Sequence, residues 1–132
     1  MNKINYHIVS KRKTTVARIY MKYGKGNIII NNKSITLYFK NNIYFLFKIK
    51  LILNKIKFFK HKKYDFFINI YGGGNNSQIE SIIYGIIKLL YLHDKKYLFL
   101  KNNLFLRNDN RKVERKKFGK KKARKSFQFS KR

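Results

Sequence analysis

The chain has 132 residues, the length of one domain with room for a tail. Its 33 Lys and Arg residues against 5 Asp and Glu residues give a formal net charge of +28. A fold with this charge repels itself unless a polyanion neutralises it, which argues against a free small-molecule enzyme. The lack of cysteine excludes disulfides, a thiol nucleophile and zinc sites with sulfur ligands, whereas a hydrophobic fraction of 44% is enough to build a core.

Five abundant residue types are encoded by codons rich in A and T. The sequence holds 26 Lys, 18 Ile, 15 Asn, 12 Phe and 10 Tyr residues but no Pro. We therefore expect an AT-rich genome, with a plastid-type organelle preferred and a mitochondrion or an endosymbiont as the alternatives. Residues 1–10 show neither a signal-peptide core nor a transit-peptide pattern, so we expect synthesis inside such an organelle.

The first half of the chain shows an alternating strand followed by a glycine turn. Residues 15–23 alternate between apolar and polar positions, which predicts a half-buried strand. Gly24 and Gly26 then predict a turn, and residues 28–30 predict a short buried strand, so we expect these two strands to pair as a β-hairpin. Ser34 is placed to cap a short helix that ends near Phe39.

Residues 41–63 are ambiguous between helix and strand, and their first half favours a helix. Four lysines interrupt the apolar residues, at Lys48, Lys50, Lys55 and Lys57. A membrane span needs about 20 mainly apolar residues, so we predict a cationic amphipathic element whose lysines face water or RNA phosphates.

A second strand and the clearest helix follow. Residues 64–71 alternate and run into Gly72, Gly73 and Gly74. Residues 77–93 carry one apolar stripe, formed by Ile79, Ile82, Ile83, Ile86, Ile87 and Leu90. Ser77 and Glu80 have the spacing of a capping box, and Gly85 predicts close packing of the helix on the sheet.

Composition changes at the C-terminal end. Residues 107–132 contain 13 Lys or Arg and two acids, a net charge of +11. Their few apolar residues form no core pattern, so they cannot offset the entropy of ordering by themselves. We predict a globular domain over residues 1–106 and an extended basic tail over residues 107–132 that RNA orders.

Catalytic and cofactor chemistry finds little support. The three histidines are isolated, and the five acids form no acid–base pair that stands out. The glycine triplet lacks the spacing of a nucleotide-binding loop, so it predicts a tight turn or a contact with RNA backbone. We expect no enzyme, no metal, no cofactor, no small-molecule substrate and no membrane partner.

Three sequence blocks closely resemble the bacterial-type family of small-subunit ribosomal protein nine. The first is residues 11–18 with Gly24-Lys25-Gly26, residues 28–31 and Tyr38-Phe39; the second is Gly72-Gly73-Gly74, residues 77–82 and Gly85-Ile86; the third is residues 113–125 with residues 128–132. They occur in family order over nearly the whole chain. The triplet is followed by Asn75-Asn76-Ser77 where the family has a Ser-Gly step, and Phe127 stands where the tail usually has Pro.

The resemblance implies an α+β fold and a place in the ribosome. The expected fold is a two-layer sandwich of the ribosomal-protein-five second-domain type, with about four strands, helices on one face and the extended basic tail. The expected function is a structural constituent of the small subunit that binds the 3′ major domain of the rRNA in the head, beside neighbouring head proteins. The C-terminal tail is expected to reach peptidyl-site tRNA during translation.

The resemblance also implies which residues contact RNA. Ser130, Lys131 and Arg132 are the expected tRNA contacts. The expected rRNA contacts are Lys11, Arg12, Lys13, Arg18, Gly72, Gly73, Gly74, Arg111, Arg115, Lys116, Lys117, Lys120, Lys121, Lys122, Arg124 and Lys125. The residues alone leave two alternatives open, a histone-like condensing protein and a cationic membrane-active protein.

Overall fold

A computed structural model describes residues 6–57, 64–93 and 109–131, as a five-stranded sheet with helices on one face. Its elements in chain order are β1 (Tyr6–Arg12), β2 (Thr15–Tyr23), β3 (Ile28–Ile30), β4 (Lys33–Ser34), α1 (Ile35–Tyr38), α2 (Ile43–Lys57), β5 (Tyr64–Tyr71) and α3 (Asn75–His93). The α+β class is thus confirmed, and the helix expected in the first half of residues 41–63 is present; residues 58–63 lie outside the described residues. The sheet has one strand more than expected, the two-residue β4.

The strand order is β1-β2-β5-β3-β4. β1 and β2 form an antiparallel hairpin, β5 pairs antiparallel with β2, and β3 pairs parallel with β5. The predicted hairpin between residues 15–23 and 28–30 is therefore wrong, because β5 lies between these two strands.

The loop between β2 and β3 shows why the hairpin does not form. The Asp65 carboxylate Oδ1 accepts hydrogen bonds from the backbone N–H groups of Gly26 and Asn27, each at 2.8 Å. The backbone N–H of Phe66 donates to the Asn27 carbonyl at 2.8 Å. A Cβ atom on Gly24 would overlap the Asp65 carboxylate, so the loop needs glycine there. These bonds carry the chain across the start of β5 and place β3 on its far side.

The core lies between α3 and one face of the sheet. Ala17, Ile19 and Met21 on β2 are almost fully buried, as are alternate residues of β5. Every member of the apolar stripe predicted for residues 77–93 is at most 2% exposed. A Cβ atom on Gly85 would lie 2.7 Å from Ser10 Oγ and would overlap Ile19, so the predicted close approach of helix and sheet is confirmed.

The start of α3 differs from the prediction. The helix begins at Asn75, and its first turn is closed by the Gln78 N–H, which donates to the Gly74 carbonyl at 3.0 Å. Ser77 is a buried residue inside the helix. The predicted capping box is therefore wrong, and the Glu80 carboxylate is used in a contact with another part of the chain.

Candidate nucleic-acid interface

The tight turn between β1 and β2 displays three consecutive cations, Lys11, Arg12 and Lys13. Lys11 and Lys13 are exposed, and Lys13 adopts a φ of 52°, in the left-handed region. The Lys11 side chain shares the outer face of β1 with Val9, because residues alternate along a strand. The turn therefore projects two ammonium groups from one end of the sheet.

Arg12 points the other way, toward the helix layer. Its Nε donates to Glu80 Oε2 at 2.7 Å, and its Nη2 lies 3.1 Å from Asp109 Oδ2. The side chain is only 18% exposed, and its Nη1 is buried with no hydrogen-bond partner among the described residues. The Arg12 guanidinium is thus already engaged by protein carboxylates, unlike the exposed ammonium groups of Lys11 and Lys13 in the same turn.

The glycine triplet lies against the same turn. Gly72 and Gly73 have φ values of 74° and 68°, which favour glycine. The Thr15 hydroxyl donates to the Gly72 carbonyl at 3.1 Å, and a Cβ atom on Gly72 would lie 2.7 Å from the Thr14 carbonyl oxygen. The two glycines therefore allow direct contact between the end of β5 and the basic turn.

The described part of the tail starts at the same place. Asp109, which pairs with Arg12, also accepts hydrogen bonds from the Arg111 side chain, with its Oδ2 2.8 Å from Arg111 Nη2. Hydrogen bonds from the side chain and backbone of Arg111 hold the pKa of the Asp109 carboxyl well below its usual range. Three predicted RNA-binding segments thus converge at one end of the domain.

Residues 109–131 contain no helix or strand and are largely exposed. Within them residues 114–125 form a second turn, called here the tail turn. It is closed by a Glu114–Arg124 ion pair at 2.9 Å and by the Lys121 N–H, which donates to the Lys125 carbonyl at 2.7 Å. Lys120 is half-buried, with its Nζ 2.6 Å from Ser126 Oγ. The remaining predicted rRNA contacts of the tail, all exposed, are Arg111, Arg115, Lys116, Lys117, Lys121, Lys122, Arg124 and Lys125.

The predicted tRNA contacts lie at the end of the tail. Ser130 and Lys131 are exposed, and the Ser130 carbonyl accepts a hydrogen bond from the Gln128 side chain at 2.8 Å. Arg132 lies outside the described residues. Phe129, beside these residues, is fully accessible; Phe127 is half exposed, and Phe118, earlier in the tail, is also fully accessible.

One surface was not identified from the sequence, the sheet face opposite the helices. No described helix packs on it, and it presents Arg18, Tyr20 and Lys22 from β2. These three positions belong to the alternating pattern that predicted the strand, so the signal was available. The alternating pattern alone does not show that these residues form one surface with Phe67, because that depends on β5 pairing with β2 and bringing Phe67 beside Tyr20.

Within the described ranges, no group of His, Asp and Glu residues is arranged to hold a metal ion. Over the same ranges, no helix has the length and apolar character needed to cross a membrane.

Comparison with known proteins identifies the family. The family model for ribosomal protein S9/S16 matches residues 10–132. The small ribosomal subunit protein uS9 of Borrelia recurrentis is 50% identical over 125 residues, which cover 92% of this chain and 88% of that protein. The uS9 proteins of Borreliella burgdorferi and Azobacteroides pseudotrichonymphae are 46% and 44% identical, over 92% and 94% of this chain.

These matches cover almost all of the elements described above, including the basic turn, the glycine triplet and the tail. The family is a structural, non-enzymatic component of the small ribosomal subunit, with rRNA and other ribosomal proteins as its partners. The chain belongs to the ribosomal protein S9 family.

Proposed function

We propose that this protein binds the 3′ major domain of the small-subunit rRNA in the subunit head, and that its tail reaches peptidyl-site tRNA. The observation that carries the proposal is the convergence of the basic turn, the glycine triplet and the start of the tail at one end of the domain. A globular domain over residues 1–106 would dock this end on folded rRNA. The tail, residues 107–132, would continue from the docking point into the RNA.

The physical basis of binding is charge neutralisation. Each Lys or Arg that neutralises a phosphate releases counterions, so affinity grows with the number of contacts and falls steeply with salt. The exposed cations of the tail have few carboxylates to satisfy them, because Glu114 and Asp109 are the two acids of residues 107–132. These cations are therefore available to phosphates, and RNA contact would order the chain between them.

The cations would have different roles in this binding. Lys11, Lys13 and Arg18 are exposed and would contact rRNA phosphates directly. Arg12 would support the same site from beneath, because Glu80 and Asp109 already engage it. Gly72, Gly73 and Gly74 would permit close approach of the RNA backbone, and the basic residues from Arg111 to Lys125 would follow the rRNA.

Ultraviolet crosslinking in native extract, followed by sequencing of the bound RNA, tests the placement. Reads concentrated in the 3′ domain of the small-subunit rRNA are expected, together with a tRNA crosslink from the tail. Reads spread over all RNA, or recovery chiefly of DNA, would contradict the proposal and favour a charge-driven condensing protein.

Deletion of Lys131 and Arg132 tests the role of the tail end. We expect weaker binding of tRNA at the peptidyl site, measured by filter binding on purified subunits, and normal sedimentation of the assembled subunit. The matched control exchanges the two residues, Lys131→Arg with Arg132→Lys, which keeps both charges and should keep tRNA binding. A block in subunit assembly by the deletion would show that the tail end serves assembly instead.

We infer a plastid-type organelle as the compartment. The support is the composition biased toward AT-rich codons and the bacterial character of the relatives. Subcellular fractionation with an antibody against the chain is expected to place it with plastid ribosomes. Recovery with mitochondrial ribosomes, or with those of an endosymbiont, would overturn this assignment and leave the rRNA-binding proposal intact.

A further inference from the structure

We propose that the sheet face opposite the helices binds unpaired RNA bases by stacking. This inference rests on the proposed function, since it adds a second contact surface to the same rRNA-binding protein. The surface, called here the stacking face, consists of the aromatic row His7, Tyr20 and Phe67 with the cations Arg18 and Lys22.

The register of the sheet builds the aromatic row. His7 lies opposite Tyr20 across β1 and β2, and Tyr20 lies opposite Phe67 across β2 and β5. The His7 and Tyr20 rings are stacked, with centroids 6.1 Å apart and planes 27° from parallel. Adjacent strands lie about 4.8 Å apart, so the row is about 10 Å wide. Sheets that present a few aromatic rings in this way can stack two or three bases.

Cations flank the row on both sides. Arg18 lies two residues before Tyr20 on the same face and is exposed. Lys22 lies two residues after it, and its Nζ lies over the Phe67 ring, 4.5 Å from the centroid, so a base that stacks on Phe67 would move this ammonium group to the edge of the ring. Guanidinium and ammonium groups on either side of a ring row are placed to contact the phosphates of a strand whose bases lie on the rings.

One acid, Asp65, lies on this face. Asp65 lies opposite Lys22 in the register, but its Oδ1 already accepts the loop N–H groups of Gly26 and Asn27. Asp65 keeps its negative charge, but Arg18 and Lys22 outnumber it, so the face carries a net positive charge together with aromatic rings. This combination favours a nucleic acid over an apolar or basic protein partner.

Unpaired RNA fits this surface better than a duplex does. A duplex buries the faces of its bases, so only its backbone can contact a flat row of aromatic rings. Splayed bases can stack on aromatic side chains at about 1–3 kcal/mol each, without demanding a particular sequence. A stacking contact would give this chain a preference for loops that charge alone does not provide.

Fluorescence anisotropy with the full chain tests the inference. The probes are a short polyuridine strand and an RNA duplex with the same number of phosphates, at one fixed salt concentration. The test variant is Tyr20→Leu with Phe67→Leu, which keeps apolar cover but removes the rings. We expect its affinity for polyuridine to fall about tenfold or more, with little change for the duplex.

Two controls define the result. Tyr44→Leu with Phe47→Leu removes two exposed rings from α2, away from the sheet face, and should leave both affinities unchanged. Tyr20→Phe with Phe67→Tyr keeps both rings, so this variant should bind polyuridine and the duplex as tightly as the wild type does. Equal losses for strand and duplex in the test variant, or no loss beyond the α2 control, would overturn the inference.

A measurement on the wild-type chain avoids dependence on the folding of any variant. Ultraviolet crosslinking to polyuridine, read by mass spectrometry, should label the peptide that holds Tyr20 or the one that holds Phe67. Crosslinks confined to the tail phenylalanines would overturn the inference. A transcript of the rRNA 3′ domain separates the two proposals. If this transcript binds no better than unrelated RNA, the proposed function fails, whereas tight binding without sheet crosslinks removes only the stacking face.

Discussion

The Nη2 atom of Arg12 lies 3.1 Å from Oδ2 of Asp109, joining the β1–β2 turn to the start of the described tail. Both segments carry several cations and would otherwise repel each other. Glu80 completes the arrangement, because its carboxylate accepts the Arg12 Nε at 2.7 Å. Two of the five acids in the chain therefore form ion pairs with one guanidinium, and these pairs hold the β1–β2 turn beside the start of the tail.

Replacement of Arg12 should loosen this junction. Arg12→Gln removes the charge-assisted hydrogen bond to Glu80, and the free energy of unfolding should fall by about 1 kcal/mol, since the pair is only partly buried. Limited proteolysis should cut the chain faster at Arg111 and Lys112. Urea unfolding and timed digestion measure these two effects.

Arg18→Gln serves as the matched control, because Arg18 is exposed and faces away from the helices. Its free energy of unfolding should stay within about 0.5 kcal/mol of the wild-type value. If both variants lose the same stability and cleave at the same rate, Arg12 does not hold the tail.

The close approach of α3 to the sheet predicts the effect of a single methyl group. Gly85→Ala places a Cβ atom against Ile19 and 2.7 Å from Ser10 Oγ, which itself donates to the Ser81 carbonyl at 2.7 Å. Overpacking costs about 1–3 kcal/mol, against a gain of about 1 kcal/mol from the better helix propensity of alanine. We expect a net loss of about 1 kcal/mol in urea unfolding.

Gly74→Ala is the matched control for that methyl group. A Cβ atom there meets nothing within 4 Å, and the residue does not have a positive φ. Gly74 is the N-cap of α3, where alanine is less favourable than glycine, so this variant should lose about 0.5 kcal/mol, less than the loss expected for Gly85→Ala. A stabilised Gly85→Ala variant would show that the helix can move away from β1 and β2 without loss.

Asp65 gives part of the stability a pH dependence. Burial alone would raise the pKa of the Asp65 carboxyl, but backbone hydrogen bonds from Asn27, Gly26 and Lys25 and the charge of Lys22 hold it below its ordinary value. A lowered pKa means that the folded state favours the carboxylate. This stabilisation is present above the unfolded-state pKa, near 4, and is lost as the pH falls through the folded-state value.

Asp65→Asn should therefore flatten the dependence of stability on pH. The amide can still accept the loop hydrogen bonds, but it carries no charge to lose. Urea midpoints compared between about pH 6 and about pH 3 should fall less steeply for the variant than for the wild type. Parallel curves would mean that the loop at Gly26 and Asn27 does not depend on this charge.

The lysines of the tail turn should set the salt dependence of RNA binding. Replacing Lys120, Lys121 and Lys122 with Gln should weaken binding to an rRNA transcript uniformly across sequences. The slope of log affinity against log salt should fall in magnitude by about 2, because each lost phosphate contact removes about 0.7–0.9. Anisotropy titrations at several salt concentrations measure the slope.

The same substitution at Lys40, Lys48 and Lys50 provides the control, since it removes an equal charge from α2 and the turn before it. Its slope should remain close to the wild-type value. A slope that falls equally in both triple variants would indicate a diffuse charge effect instead of contacts made by the tail.

Elements with a strong local signal were predictable from sequence. The alternation in β2 and β5, the Ser34 cap and the apolar stripe of α3 all depend on residues near one another in the chain, and each is confirmed. Pairing was not predictable in the same way. The position of β3 depends on the Asp65 carboxylate binding a loop formed much earlier in the chain, and no local pattern reports that contact.

The site shows a similar division. The basic tail was predicted from its charge alone, whereas the cations of the β1–β2 turn were predicted as RNA contacts from the family resemblance. The predicted role of Glu80 was wrong. Its spacing from Ser77 fits a capping box, and the sequence does not reveal that Arg12 lies beside its carboxylate. The stacking face depends on three strands meeting in register, so only the fold could assemble it.

The insertion of β5 between β2 and β3 also sets an order for folding during synthesis. When residues up to Lys57 have left the ribosome, the β1–β2 hairpin can form, but one edge of β2 and the edge of β3 remain without their partner. Distant pairing of this kind makes folding slow and leaves strand edges open to other chains. The nascent protein therefore stays an incomplete sheet until Tyr64–Tyr71 emerges, and among the described strands the last to be made is the one that joins the two halves.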